Sequence, residues 1–76
     1  MNHYTDAMIA TRGVLSDAQF DQVARQVRNI EGIKQITRSQ RIPRVIWVSY
    51  HTGKIRARAI INQLAQSGFN ASLVGM

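Results

Sequence analysis

The chain has 76 residues and no cysteine, and its ten Lys and Arg stand against four Asp and Glu, a formal net charge of +6 and a pI near 11.3. At 45% hydrophobic and 18% charged residues the composition is not that of a disordered chain, and it predicts a single domain over residues 1–76. Without cysteine there is no disulfide scaffold, zinc finger, thiol nucleophile or thiolate metal site. No apolar run approaches the ~18 residues of a membrane span and no signal-peptide pattern opens the chain, so a cytoplasmic protein is the default expectation. The excess of cations favours an anionic partner, which is a nucleic acid, an acidic protein or a membrane surface; the bland alternative is solubility alone.

In chain order, Ala7 to Thr11 reads as a short strand. Ser16-Asp17-Ala18-Gln19 matches the capping box, in which a serine hydroxyl takes an orphan N–H and a glutamine three residues on reaches back. Phe20, Val23, Val27 and Ile30 then recur at spacings of three and four and line one face of a helix. Gly32 is expected to close that helix in a left-handed cap, and Asp21 and Arg25 are spaced to pair on its outer face. Ile33 to Arg38 reads as a second strand. Arg41-Ile42-Pro43-Arg44 reads as a hairpin tip, where a proline without an N–H belongs. Val45 to Tyr50 is β-branched, aromatic and alternating, the clearest strand of the chain. His51-Thr52-Gly53 breaks it. Ile55 to Ser67 reads as a second helix with the stripe Ala57, Ile60, Ile61 and Leu64, capped by Gly68, and Phe69 to Val74 as a last short strand.

Strand, helix, strand, strand, helix, strand, joined by right-handed crossovers, predicts a ferredoxin-like α+β sandwich. Its antiparallel sheet runs in the order 4-1-3-2 with both helices on one face.

These landmarks resemble the heavy-metal-associated domain of copper chaperones, mercury-binding proteins and the amino-terminal modules of metal-pumping ATPases. The family pattern runs Gly-Met-x-Cys-x-x-Cys, an apolar helix, Gly-Val about nineteen residues after the first glycine, and Gly-Tyr after the second helix. Here Gly13-Val14-Leu15-Ser16-Asp17-Ala18-Gln19 stands in the place of the metal loop, and Ile30-Glu31-Gly32-Ile33 falls at the matching distance. Ile46, Val48 and Tyr50 match the third strand, Ile60 and Leu64 the second helix, and Gly68-Phe69 the closing pair. The likeness covers nearly the whole chain, but most matched residues are core and cap positions, which define a fold and not a function. Both metal cysteines are missing: Ser16 and Gln19 hold their positions, and neither offers the soft thiolate that copper(I), mercury or zinc takes in this family. One extra residue falls near Pro43, and Arg38 stands where the family has an apolar residue.

The resemblance implies a non-enzymatic interaction module, without cofactor, that docks on an acidic or metal-transport-related protein partner. Arg12, Arg25, Arg28 and Lys34 are the candidate docking surface around loop one and the first helix, as rim charges that steer encounter. Trp47 is expected on the open face of the sheet, extended by Met8 and Ala10, as a partner contact, a dimer contact or a packed side chain.

The alternative is a small basic nucleic-acid-binding domain, with Trp47 stacking a base and Arg38, Arg41, Arg44, Lys54, Arg56 and Arg58 meeting phosphates. Thr52-Gly53-Lys54 with Arg56 and Arg58 places cations at a helix start, against the helix dipole, which also suits an anion. The run lacks the P-loop pattern, and a solvated charged face is the plain alternative. The aromatic motif of RNA-recognition domains is also absent.

A third reading is a displaced metal site. Met1-Asn2-His3 has the spacing that wraps copper(II) or nickel(II) in a square plane, and the topology brings His3 towards His51. Catalysis has little support: Asp6, Asp17, Asp21 and Glu31 are scattered, and Ser16 has no histidine at its own pole.

Overall fold

The computed structural model describes residues 3–74. The elements run β1 (Tyr4–Thr11), α1 (Asp17–Arg28), β2 (Ile33–Arg38), β3 (Val45–His51), α2 (Ala57–Gln66) and β4 (Ala71–Leu73). All strand pairs are antiparallel and the sheet order is β2-β3-β1-β4, as the topology predicts.

The pleat divides the strands into two faces. Ala7, Ile9 and Thr11 of β1 pair across the sheet with Val48, Ile46 and Ala71 and point to the helices. Met8 pairs with Trp47, and Trp47 with Thr37, on the face that no helix covers. The core between the layers is closed by Ile9, Ile46 and Val48 from the sheet, Val23 and Val27 from α1, and Ile60 and Leu64 from α2, all fully buried. Val23/Val27 and Ile60/Leu64 are each four apart, so each helix presents one stripe.

The helix ends show what the chain uses where. Ser16 accepts the Gln19 N–H at 3.1 Å and the Gln19 Oε1 accepts the Ser16 N–H at 2.9 Å, the reciprocal capping box read from the sequence. Gly32 does not cap α1. The helix stops at Arg28 with Asn29 as its cap, and Gly32 follows in the turn that enters β2, with φ +98°. A side chain there would meet Lys54 Cβ at 3.0 Å and Ile55 Cγ2 at 3.1 Å, and the Gly32 carbonyl accepts the His51 N–H at 2.7 Å. The glycine therefore allows a close backbone approach between that turn and the end of β3.

Gly68 does cap α2, with φ +88°. The Phe69 N–H reaches the Leu64 carbonyl at 2.9 Å and the Gly68 N–H reaches Ala65 at 3.0 Å, a Schellman closure with Phe69 packed on the core. That closure engages Phe69, so β4 begins only at Ala71 instead of Phe69. Helix α2 likewise starts at Ala57, because Arg56 is still extended (φ −103°, ψ 150°) and Ile55 packs against the core as part of the entering loop. Strand β1 begins at Tyr4, ahead of the apolar residues: Tyr4, Thr5 and Asp6 are exposed but pair with His51, Tyr50 and Ser49. Among the described residues the ion pair is Asp17 with Arg38, and not Asp21 with Arg25. No helix among the described residues is long and apolar enough to cross a membrane.

Candidate functional site: the loop-one pole

Loop one, residues 12–16, leaves β1 at Thr11, the one buried polar residue of the described chain. The Thr11 N–H donates to the Arg44 carbonyl at 2.8 Å, and its hydroxyl lies 2.7 Å from the Gly13 carbonyl and 3.0 Å from that of Arg44. One buried threonine thus ties the start of loop one to the end of the β2–β3 hairpin. The hairpin is closed on itself by Ser39 N–H to Val45 at 3.0 Å and by Ile42 N–H to the Ser39 hydroxyl at 3.1 Å.

Arg38 fastens the other side. Its guanidinium pairs with Asp17 at 2.9 Å, donates to the Leu15 carbonyl, and lies 5.4 Å from the Phe20 ring centre. With 28% of its side chain exposed, Arg38 is a strut between β2, loop one and the first turn of α1. This explains an arginine on the helix-facing side of β2, where an apolar residue would only fill space: its stem packs and its head satisfies a loop carbonyl.

Ser16 and Gln19 do not fit a soft metal. Both are neutral oxygen donors, and both oxygens already accept helix N–H groups. In front of them Leu15 is buried while Val14 is 66% exposed, an apolar tip on an otherwise polar loop. Arg12 and Arg44 line a cleft of about 380 Å³ with Asn70. Arg41 and the exposed Ile42 lie on the adjoining hairpin. With Asp17 paired to Arg38, loop one and the hairpin expose Arg12, Arg41 and Arg44 together with Val14 and Ile42. Neither Val14 nor Ile42 stands out in the sequence. The available signal was a β-branched residue isolated between Gly13 and a core-directed Leu15.

The other predicted residues lie elsewhere. Arg25 and Arg28 occupy the last turn of α1, at the far end of a helix about 18 Å long, where they complement its dipole. Lys34 is at the far end too, 5.0 Å over the Tyr4 ring. The four residues Arg12, Arg25, Arg28 and Lys34 do not share one surface. Lys54, Arg56 and Arg58 do come together, around a cleft of about 550 Å³ at the start of α2. Arg56 is the N-cap residue and makes no side-chain cap.

Trp47 is 39% exposed on the open face, in a shallow cleft of about 350 Å³ that Asp6, Lys34 and Ser49 also line. His3 and His51 do approach, with ring centres 5.5 Å apart, and Tyr4 meets His51 edge-on at 5.2 Å. The His51 Nδ1 accepts the Gly53 N–H at 3.1 Å, so one ring nitrogen is already engaged as an acceptor. Met1 and Asn2, the rest of the square-planar motif, lie outside the described residues. No group of three His, Cys, Asp or Glu side chains converges among the described residues.

No protein-family model matches the chain and no curated protein sequence does. Solved structures do. Oxidized MerP from Ralstonia metallidurans CH34 superposes with a TM-score of 0.81 at 15% identity, over 93% of this chain and 97% of that one. The yeast copper transporter domain Ccc2a, solved in apo and Cu(I)-loaded states, gives 0.77 at 19% identity, over 91% and 93%. The CsoZ metallochaperone gives 0.72 at 22% identity, over 93% and 97%. The chain therefore has the ferredoxin-like fold of heavy-metal-associated domains, in a version without cysteine.

Proposed function

We propose that this protein is a non-enzymatic interaction module, cytoplasmic in setting, that keeps the shape of a metallochaperone domain and docks through its loop-one pole on an acidic protein partner. The observation that carries this reading is the rebuilt loop. The two positions matching the metal pair form a capping box, and Val14, two residues ahead of them, is exposed on a loop whose Arg12 lines a cleft with Arg44. An apolar centre with a cationic rim is the anatomy of a protein contact whose charges speed encounter while the apolar residue holds the complex. The structural likeness to a metallochaperone and to a copper transporter domain supports a partner connected with metal transport.

The test is a tagged pull-down from cell lysate, divided into nuclease-treated and untreated halves, alongside the variant Arg12→Glu/Arg44→Glu. The proposal expects a discrete partner that survives nuclease and is lost with the double charge reversal. Retention of that partner by the variant would sink the loop-one assignment.

Nucleic-acid binding is the second reading, favoured by one observation: Trp47 is exposed on an uncovered sheet beside Lys34. Under that reading the bound set collapses on nuclease treatment, and Trp47→Ala weakens single-strand binding by ~1–3 kcal/mol per stacked base. Docking through loop one is indifferent to Trp47.

A further inference from the structure

Strand β4 has three residues, which pair with Ile9 to Thr11 of β1, and the Val74 N–H donates to the Met8 carbonyl at 2.9 Å beyond them. A groove of about 580 Å³ opens between the first turns of α2 and the sheet beside β4. Its apolar walls are Tyr50, Ile55, Ala57, Ile61, Ala71 and Leu73. Every one of these six is half-buried, beside a core whose central side chains are fully closed. Ala57 and Ile61 are four apart, so they belong to one stripe of α2 that the core does not fully cover.

The mouth is cationic. Arg56 and Arg58 line this groove and also the adjoining cleft that holds Lys54. No Asp or Glu lines either cleft. The two guanidinium side chains thus stand where an apolar trough meets a positive surface. The volume lies within the ~300–1,000 Å³ usual of small-molecule sites, and a mostly apolar lining with a few polar groups at one end is their usual chemistry. A buried-tail, charged-head ligand satisfies both ends, whereas an inorganic anion leaves the trough wet and a hydrocarbon leaves the arginines unused.

We infer that the groove between α2 and β4 is a binding site for an amphipathic carboxylate, with an aliphatic tail along Ile55, Ile61 and Leu73 and a carboxylate held by Arg56 and Arg58. The groove shares Ala71 and Ser72 with the Arg12–Arg44 cleft but neither of its arginines, and the inference does not rest on the docking assignment. Two arginines suit a carboxylate because each offers paired N–H donors in a plane.

The test uses decanoate as probe on the full chain, followed by amide-resolved NMR titration and calorimetry. Decanoate is expected to shift the amides of Ile55, Ala57, Ile61, Ala71 and Leu73 and to leave those of Trp47 and Val14 in place. Decyltrimethylammonium, with the same tail and opposite charge, is expected not to bind. Arg56→Ala/Arg58→Ala, a change of two exposed residues, should weaken decanoate about tenfold or more with the fold intact by circular dichroism. Ile61→Glu should abolish it, and the arginine variant keeps the test decisive if Ile61→Glu fails to fold. Equal binding of the cationic amphiphile, shifts confined to the Trp47 face, or no response to decanoate would overturn the inference. So would a short acidic peptide that occupies the groove when decanoate does not, since the site would then be a peptide groove.

Discussion

If Ser16 and Gln19 are structural residues, removing them should cost stability, and placing cysteine at both positions should create a copper(I) site that recovers that stability only when metal is bound. The loss follows from two hydrogen bonds at the start of α1, at 3.1 and 2.9 Å, both exposed to solvent. An N-cap serine replaced by alanine costs about 1 kcal/mol, and the reciprocal Gln19 bond, exposed, adds about 0.5 kcal/mol. Ser16→Ala/Gln19→Ala should therefore lose about 1.5 kcal/mol, which in a domain of this size lowers the melting temperature by ~6–12 °C. In urea, the midpoint should fall by about 1 M at an unchanged slope. Ser16→Cys/Gln19→Cys should lose a similar amount without metal and recover it on adding copper(I) under reducing conditions, because a ligand that binds only the folded state stabilises by mass action. The unsubstituted protein should retain no copper(I) on equilibrium dialysis. A double alanine variant that melts within about 2 °C of the parent would refute the capping argument. Stoichiometric copper(I) on the parent at this loop would refute the reading of the two oxygens as engaged donors.

The remaining predictions concern the struts and the core. Arg38→Ala should cost ~1–2 kcal/mol through the lost bond to the Leu15 carbonyl and the lost Phe20 packing, and Arg38→Lys should recover little of it, measured by urea denaturation. Asp17→Asn should cost much less, because that carboxylate is fully exposed and its ion pair is screened. Gly32→Ala should be more damaging than Gly68→Ala: both glycines have positive φ, but only at Gly32 would the new methyl press on its neighbours, on Lys54 and Ile55. A melting-temperature comparison ranks the two, and the reverse order would remove the close-approach argument. Leu64→Ala, at a fully buried position, should cost ~2–5 kcal/mol and bring so small a domain near its unfolding threshold.

Most of the architecture was legible because it depends on patterns that local physics enforces. The capping box at Ser16, the stripe Val23/Val27, the alternation from Val45 to Tyr50 and the glycine after α2 each specify an element without knowledge of the rest. The misread boundaries share one cause, which is that a tertiary partner engages a residue the local pattern had assigned elsewhere. Phe69 closes the Schellman turn and so is lost to β4; Gly32 serves the approach of Lys54 and Ile55 and so does not cap α1. Tyr4, Thr5 and Asp6 carry no apolar alternation, yet β3 gives them partners. The candidate surfaces were harder. Charge counts identified the arginines, but which of them share a surface depends on the sheet order and the direction of α1. That is why Arg12 gathers with Arg44 and not with Arg28. The groove under Arg56 and Arg58 was invisible for a further reason: its lining comes from β3, the loop into α2, α2 itself and β4, which only the folded chain brings together.

Loop one shows how this fold can order the start of its first helix without a metal. A thiolate pair at the start of a helix leaves the first N–H groups of that helix without a side-chain oxygen, and the metal organises the loop in its place. Serine and glutamine at the same two positions satisfy those N–H groups directly, and Arg38 holds the carbonyl of Leu15 from below. The loop is then ordered by hydrogen bonds, and its shape is decoupled from metal supply. A partner that recognised only the shape and charge of this pole would find it present at all times, whereas a metallochaperone presents its loaded form only with cargo. The argument has a measurable consequence. Binding of the proposed partner should be unchanged by a copper(I) chelator, whereas in the Ser16→Cys/Gln19→Cys variant the same interaction should become sensitive to chelation, because metal would be needed to order the loop.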